Sequence, residues 1–204
     1  MDSSYSERDF WNTRYARGST SGAGSAGPEA QWKVEQIIRA CGRRRIETVL
    51  DLGCGDGRLG RAVVDRLPGV SYLGVDQAPA ALELARQVAA AGMEYAQGDL
   101  TEGAEAPESE LHQADLVLCL DVLFHLESAE RHAAAIASIC RFFRRLAIVA
   151  AWNPAIVDLY KGEFAGHTVY RPFVVADPSV KVEEIQLPMV PQKSLYVLTR
   201  PRRR

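Results

Sequence analysis

The sequence predicts an α/β fold: a mostly parallel sheet of seven strands, with helices on both faces and an antiparallel hairpin at its C-terminal end. Three observations carry this. From residue 48 onward short β-rich runs alternate with helical runs, the signature of parallel strands joined by crossover helices. The last two strand-like runs, 181–187 and 195–199, are separated only by Pro188 to Ser194, too few residues for a crossover, so they pair as a hairpin. A glycine-rich turn at 53–57 leads from the first strand into the helix that follows it.

In order along the chain, Thr48 to Leu52 reads as strand one. Leu59, Ala62 and Val63 then recur at helical spacing until Pro68-Gly69 stops the run. Ser71 to Val75 is strand two. Pro79 suits a first helical turn, and Ala81, Leu84, Ala85 and Val88 form one apolar stripe that Gly92 ends. Met93 to Gln97 is strand three. Residues 102–113 hold four glutamates with no period and read as a solvated loop or a frayed helix. Ala114 to Leu120 is strand four. Ser128 is placed to cap a helix whose Ile136, Ile139, Cys140 and Phe143 share a face, and Arg145 to Ala151 is strand five. Residues 1–47 differ in kind: an aromatic start (Phe10, Trp11, Tyr15), a Gly/Ser-rich stretch from Gly18 to Gly27, and a helix with Val34, Ile37, Ile38 and Cys41 on one face. They read as a helical, lid-like appendage to a main domain over 48–204. The stretch 18–27 is either a slack linker or a lid that orders on a ligand.

At 204 residues the chain fits one domain. Its 24 basic and 26 acidic side chains leave a net charge of −2, so no global field draws it to nucleic acid or to an anionic membrane. Arg43–Arg45, Arg141–Arg145 and Arg202–Arg204 read as solvated helix ends and a charged tail. The longest apolar runs, Leu116–Leu120 and Leu146–Trp152, fall far short of the roughly 20 residues of a membrane span. Residues 1–10 show no secretory pattern, and a soluble, cytoplasmic protein is expected. Cys41, Cys54, Cys119 and Cys140 are scattered, with no CxxC pair and no histidine at ligand spacing, which argues against a disulfide framework and against a structural zinc.

Two registers compete in the glycine turn. Gly55-x-Gly57-x-x-Gly60 satisfies a dinucleotide pattern, in which a helix N-terminus holds a pyrophosphate. Asp51-x-Gly53-x-Gly55-x-Gly57 begins closer to the strand end. A carboxylate fixed there repels a pyrophosphate and suits a ligand that carries an ammonium group.

The second register resembles motif I of the class I S-adenosylmethionine-dependent methyltransferases, (D/E)xGxGxG. Asp76 in Leu-Gly-Val-Asp, Asp99 in Gln-Gly-Asp-Leu and the stretch 114–126 match that family's later motifs in order. The resemblance covers about residues 46–200 and implies a Rossmann-like fold whose seventh strand is antiparallel. It implies S-adenosylmethionine as cofactor, S-adenosylhomocysteine as product, and no metal. The backbone of Gly53, Cys54 and Gly55 would face the methionine part, and Asp51 its ammonium, together with the Leu120 carbonyl. Asp76 would hold the ribose hydroxyls; Asp99 and the Leu100 amide would read adenine, with Gln77 and Gly98 lining that end. Asp121 would face the mouth of the site, on the acceptor side.

Methyl transfer requires alignment above all, with a base only where the acceptor must lose a proton. His125, directly after strand four, is the candidate base, since an imidazole of pKa about 6.5 accepts a proton at neutral pH; the bland alternative is packing. Trp152, His167, Tyr170 and Arg171, after strand five, are the candidate acceptor wall, with Trp11 and Tyr15 closing from the N-terminal side. The reading is therefore a methyltransferase acting on an oxygen or nitrogen of a small acceptor, of secondary-metabolism type, as a monomer or homodimer. Its rivals are a nicotinamide-dependent oxidoreductase and a non-catalytic subunit that retains the cofactor pocket.

Overall fold

The computed structural model describes residues 6–102, 113–126, 128–153 and 173–201. Helices α1 (Glu7–Ala16) and α2 (Gly27–Cys41) precede the alternating part, and a short 3₁₀ turn, Ala23–Ser25, lies between them. Then come β1 (Thr48–Leu52), α3 (Arg58–Val64), β2 (Ser71–Asp76), α4 (Pro79–Gln87), β3 (Met93–Gln97), β4 (Ala114–Leu120), α5 (Ala129–Phe142) and β5 (Phe143–Trp152). The hairpin is β6 (Lys181–Gln186) and β7 (Lys193–Thr199). The seven strands form one sheet in the order β3-β2-β1-β4-β5-β7-β6. Strands β1 to β5 are parallel, and β7 runs antiparallel to both β5 and β6.

This order reverses between β1 and β4. From β1 the chain winds outward through β2 and β3, then returns to β4 on the other side, so the loops leaving β1 and β4 diverge and open a crevice at the strand tips. The apolar core lies on both faces. Leu50, Leu52, Val117, Cys119 and Ala147 pack under Ile136, Ile139 and Phe142 of α5. Val49, Leu116, Leu118 and Ile148 pack under Leu59 and Val63 of α3 and Val34, Ile37 and Cys41 of α2. Helix α2 is thus a layer of the fold rather than a peripheral attachment. Helix α1 lies across α4, with Trp11 and Tyr15 against Ala78, Ala81 and Leu84.

Several boundaries differ from the sequence reading, and β2, β5 and β6 each end one residue away from it, at Asp76, Trp152 and Gln186. Helix α4 stops at Gln87, because the chain needs the turn through Gly92 (φ +83°) to reach β3. Phe143 belongs to β5, where it pairs with Ala114 and is fully buried. Strand β7 starts at Lys193, two residues early, and the buried Ser194 hydroxyl bonds Glu184 across the hairpin at 2.6 Å. Most of the acidic stretch, 103–112, lies outside the described residues.

Glycine 60, inside α3, lies against Tyr72 of β2: a Cβ there would sit 2.6 Å from the Tyr72 ring carbon Cζ, and Tyr72 is 2% exposed. Glycine to alanine in a helix ordinarily gains about 1 kcal/mol. Overpacking reverses the sign here, and Gly60→Ala is expected to lose roughly 1 to 2 kcal/mol in urea denaturation. A gain in stability would show that Tyr72 has room to move.

Candidate active site

The turn after β1 is tied to β2. The Gly53 and Cys54 amides both donate to the Val75 carbonyl, at 2.8 and 3.0 Å. Asp76, the last residue of β2, accepts from the Gly55 amide through Oδ2 and from the Ala78 amide through Oδ1, each at 2.9 Å. One carboxylate therefore shapes two turns, and Gly55 meets it with φ +56°, a conformation that favours glycine. Burial pushes the Asp76 carboxyl above its ordinary value, and those backbone donors pull it back. Asp56 plays a structural part: it accepts from the Ser21 and Arg58 amides at 3.2 and 3.3 Å, while its own amide donates to the Ser21 hydroxyl.

A cleft of about 790 Å³, counted out to solvent, opens at the strand tips. It brings together Asp51, Gly53, Cys54, Gly55, Asp76, Gln77, Gly98, Asp99, Leu100, Leu120, Asp121 and His125 with Trp11 and Tyr15. Gly60 is not among its walls. Asp51 accepts from the Tyr72 hydroxyl at 2.7 Å. Burial raises its carboxyl to about 7; the Tyr72 bond lowers it and the nearby Asp76 raises it further. Asp99 accepts from the Thr101 amide and hydroxyl and from Arg131, the last at 2.8 Å. Burial raises that carboxyl, but Arg131 and Thr101 outweigh it and hold it below the ordinary value.

Asp121 sits at φ +61°, the one non-glycine residue with positive φ among the described residues. Its carboxylate pairs with Lys33 of α2 and with Lys193 of β7, the latter at 3.2 Å. Glu29 closes the ring, 2.7 Å from Lys33 and 3.1 Å from Lys193. Burial pushes Asp121 up, but the two ammonium groups hold it below the usual carboxylate range. The fully buried Lys33 also donates to the Gly24 carbonyl at 2.9 Å.

These bonds dock residues 18–26 over the cleft. Tyr15 donates to the Ser21 hydroxyl at 2.9 Å, Asn12 accepts from the Ala80 amide, and Arg131 joins Asp99 to Glu7 of α1. Residues 18–26 are held in this position by the Tyr15–Ser21, Ser21–Asp56 and Lys33–Gly24 bonds. Trp11 meets the His125 ring edge-on, centroids 4.8 Å apart, and Phe124 lies on the other side at 4.6 Å. Trp152 does not reach the cleft; it is buried behind Phe124, at 5.0 Å. His167, Tyr170 and Arg171 lie outside the described residues.

Sequence reasoning missed Arg131, Lys33, Lys193, Glu29 and Tyr72. Lys33 had a signal, since it interrupts the apolar stripe of α2 beside Val34 and Ile37. Arg131 and Tyr72 had none, because their partners lie 32 and 21 residues away.

A family model described as a methyltransferase domain matches residues 50–145, from β1 into β5. Over that stretch, just under half of its length, the chain is similar to methyltransferase domains. The ubiquinone biosynthesis O-methyltransferase of Stutzerimonas stutzeri (strain A1501) is 34% identical over 97 residues, 46% of this chain and 38% of that protein. The chain therefore matches well under half the length of that relative. Two solved structures share the fold of this chain. The N-methyltransferase NodS of Bradyrhizobium japonicum WM9, in complex with S-adenosylhomocysteine, superposes with TM-score 0.71 at 16% identity, over 95% of this chain and 97% of that one. An O-methyltransferase family protein of Burkholderia thailandensis gives 0.66 at 19% identity, over 95% and 59%.

The walls of the cleft fit the family's cofactor by the chemistry of their acceptors. Asp51 offers Oδ1 to an ammonium. Asp76 accepts the Gly55 and Ala78 amides, and the Gln77 amide also acts on it, which would still leave, of roughly four lone-pair sites, an acceptor for a ribose hydroxyl. Among the described residues no group of three or more His, Cys, Asp or Glu is placed to hold a metal ion, and no helix is long and apolar enough to cross a membrane.

Asp51 carries a stability signature. Its folded value is about 7 against an ordinary 3.8, so between those values the folded state holds a proton that the unfolded chain releases. Stability falls as pH rises through that window, by at most about 4 kcal/mol, and the whole penalty stands above pH 7. Asp51→Asn should gain stability relative to wild type from about pH 4 to 7 and level off above. Urea denaturation across that range checks it; a pH-independent difference would refute the buried carboxylate.

Proposed function

We propose that this methyltransferase binds S-adenosylmethionine along the strand tips and methylates an oxygen or nitrogen of a small acceptor, releasing S-adenosylhomocysteine. The observation that carries this is the order of carboxylates. Asp51, Asp76 and Asp99 follow β1, β2 and β3, neighbours in the sheet, so they stand over a span of roughly 10 Å at about 4.8 Å per strand. An amino-acid ammonium at Asp51 beside Leu120, a ribose at Asp76 and a base at Asp99 beside Leu100 use that spacing in sequence.

When bound, the sulfonium supplies an electrophilic methyl group. The chain's own contribution is alignment, worth roughly 7 to 11 kcal/mol in well-oriented systems, and exclusion of water. Trp11 and Tyr15 of α1 and Ser21 and Ser25 join Val122 and His125 in lining the cleft, and a cleft walled from the N-terminal side suits a small acceptor better than a folded macromolecule. His125 accepts the acceptor's proton, with Trp11 and Phe124 fixing its ring. The net charge of −2 favours neither nucleic acid nor an anionic membrane. The reading is of a metal-free cytoplasmic enzyme, monomeric or dimeric.

Isothermal titration with S-adenosylhomocysteine and with NAD is expected to show micromolar or tighter binding of the sulfur nucleoside alone. Incubating the labelled methyl donor with a panel of phenols, amines and bulk RNA should put label into a small molecule. NAD binding without the sulfur ligand would end the proposal, and label in RNA would end the acceptor class. His125→Ala is expected to lose about 10² to 10⁴ in kcat at pH 7 with cofactor affinity unchanged; full activity at neutral pH would remove the base role.

A further inference from the structure

We infer that Tyr72 is the residue that orients Asp51 toward the ammonium group of the bound nucleoside, with Gly60 leaving the space its hydroxyl needs; the inference rests on the reading of the cleft proposed above. Tyr72 stands on β2 opposite Val49, while the position directly opposite Asp51 is Gly74. The phenol therefore reaches diagonally along the sheet past a residue with no side chain. A Cβ at Gly60 would lie 2.6 Å from Tyr72 Cζ. That bare position in α3 lets a buried phenol bring its O–H to 2.7 Å from Asp51 Oδ2. Among the described residues Tyr72 is the one donor to Asp51, which leaves Oδ1 as the acceptor for what the cleft holds. This gives Gly60 a reason that no phosphate supplies, since it completes the spacing Gly55-x-Gly57-x-x-Gly60 yet does not line the cleft.

The surroundings of Asp51 make this hydroxyl matter. The titratable groups that face it are Tyr72 and Asp76 on β2, Cys54 on the glycine turn, Tyr95 on β3 and Cys119 on β4, and none of them is a cation. Burial and Asp76 disfavour the charged carboxylate, and the Tyr72 bond favours it. A cationic ligand then binds with release of a proton at low pH, and the phenol sets where that linkage falls.

The test is titration of S-adenosylhomocysteine into wild type and Tyr72→Phe from about pH 5.5 to 9, a range that brackets the raised Asp51 carboxyl on both sides. 5′-Methylthioadenosine, which lacks the amino-acid part, serves as control. Wild-type affinity for S-adenosylhomocysteine should rise with pH and level off above about 7. In Tyr72→Phe it should be about tenfold weaker at pH 7, with the levelling point moved upward by about one pH unit, while 5′-methylthioadenosine keeps its affinity. Equal affinities and equal pH profiles would overturn the inference. So would an equal loss for both ligands, which marks a collapsed cleft rather than a misdirected carboxylate. If wild type itself fails to bind S-adenosylhomocysteine, the reading of the cleft falls and takes this inference with it.

Discussion

The cleft depends on one carboxylate. Asp76 accepts the Gly55 amide from the turn after β1 and the Ala78 amide from the turn into α4, so two loops that leave neighbouring strands are held as one wall. Its burial is costly for the ionised form, and two amide donors at 2.9 Å are what make that burial tolerable. The same residue remains the candidate partner of the ribose diol. Folding and binding therefore draw on one side chain, and the stability of the turn cannot be separated from the shape of the pocket it forms.

Much of the fold was legible because its signals are local or periodic. Pro79 and Ser128 marked helix starts, the apolar run 114–120 marked a central strand, and the short span between the last two strands required a hairpin. The cleft walls named from motif spacing also converge, since strand tips that are adjacent in the sheet put Asp51, Asp76 and Asp99 side by side. Long-range partners were hidden. Arg131 looked like an ordinary first-turn residue of α5, and only the folded chain shows it bridging Asp99 and Glu7. Trp152 followed strand five as expected, yet Phe124 occupies the place between it and the cleft.

Charge is managed differently at the two ends of the cleft. At the β3 end, Arg131 neutralises Asp99 and Glu7 in one fork, at a site still one-third exposed. At the β4 end, four charges, Glu29, Lys33, Asp121 and Lys193, are withdrawn from water and satisfy one another. Removing any one of the four leaves an uncompensated buried charge, which ordinarily costs about 3 to 5 kcal/mol. Between the two ends Asp51 has, among the described residues, no cation beside it, and its donor there is a phenol.

The left-handed backbone at Asp121 limits how this cleft can be redesigned. Of the twenty residue types only glycine, asparagine and aspartate sit comfortably at φ +61°. Glycine and asparagine both remove the carboxylate and leave Glu29 alone to compensate two ammonium groups. Directed evolution aimed at new acceptors is thus shut out of the residue that leaves β4. It has a freer hand one step further along the chain at Val122, and across the opening at Trp11, where neither dihedral nor ion pair dictates the choice.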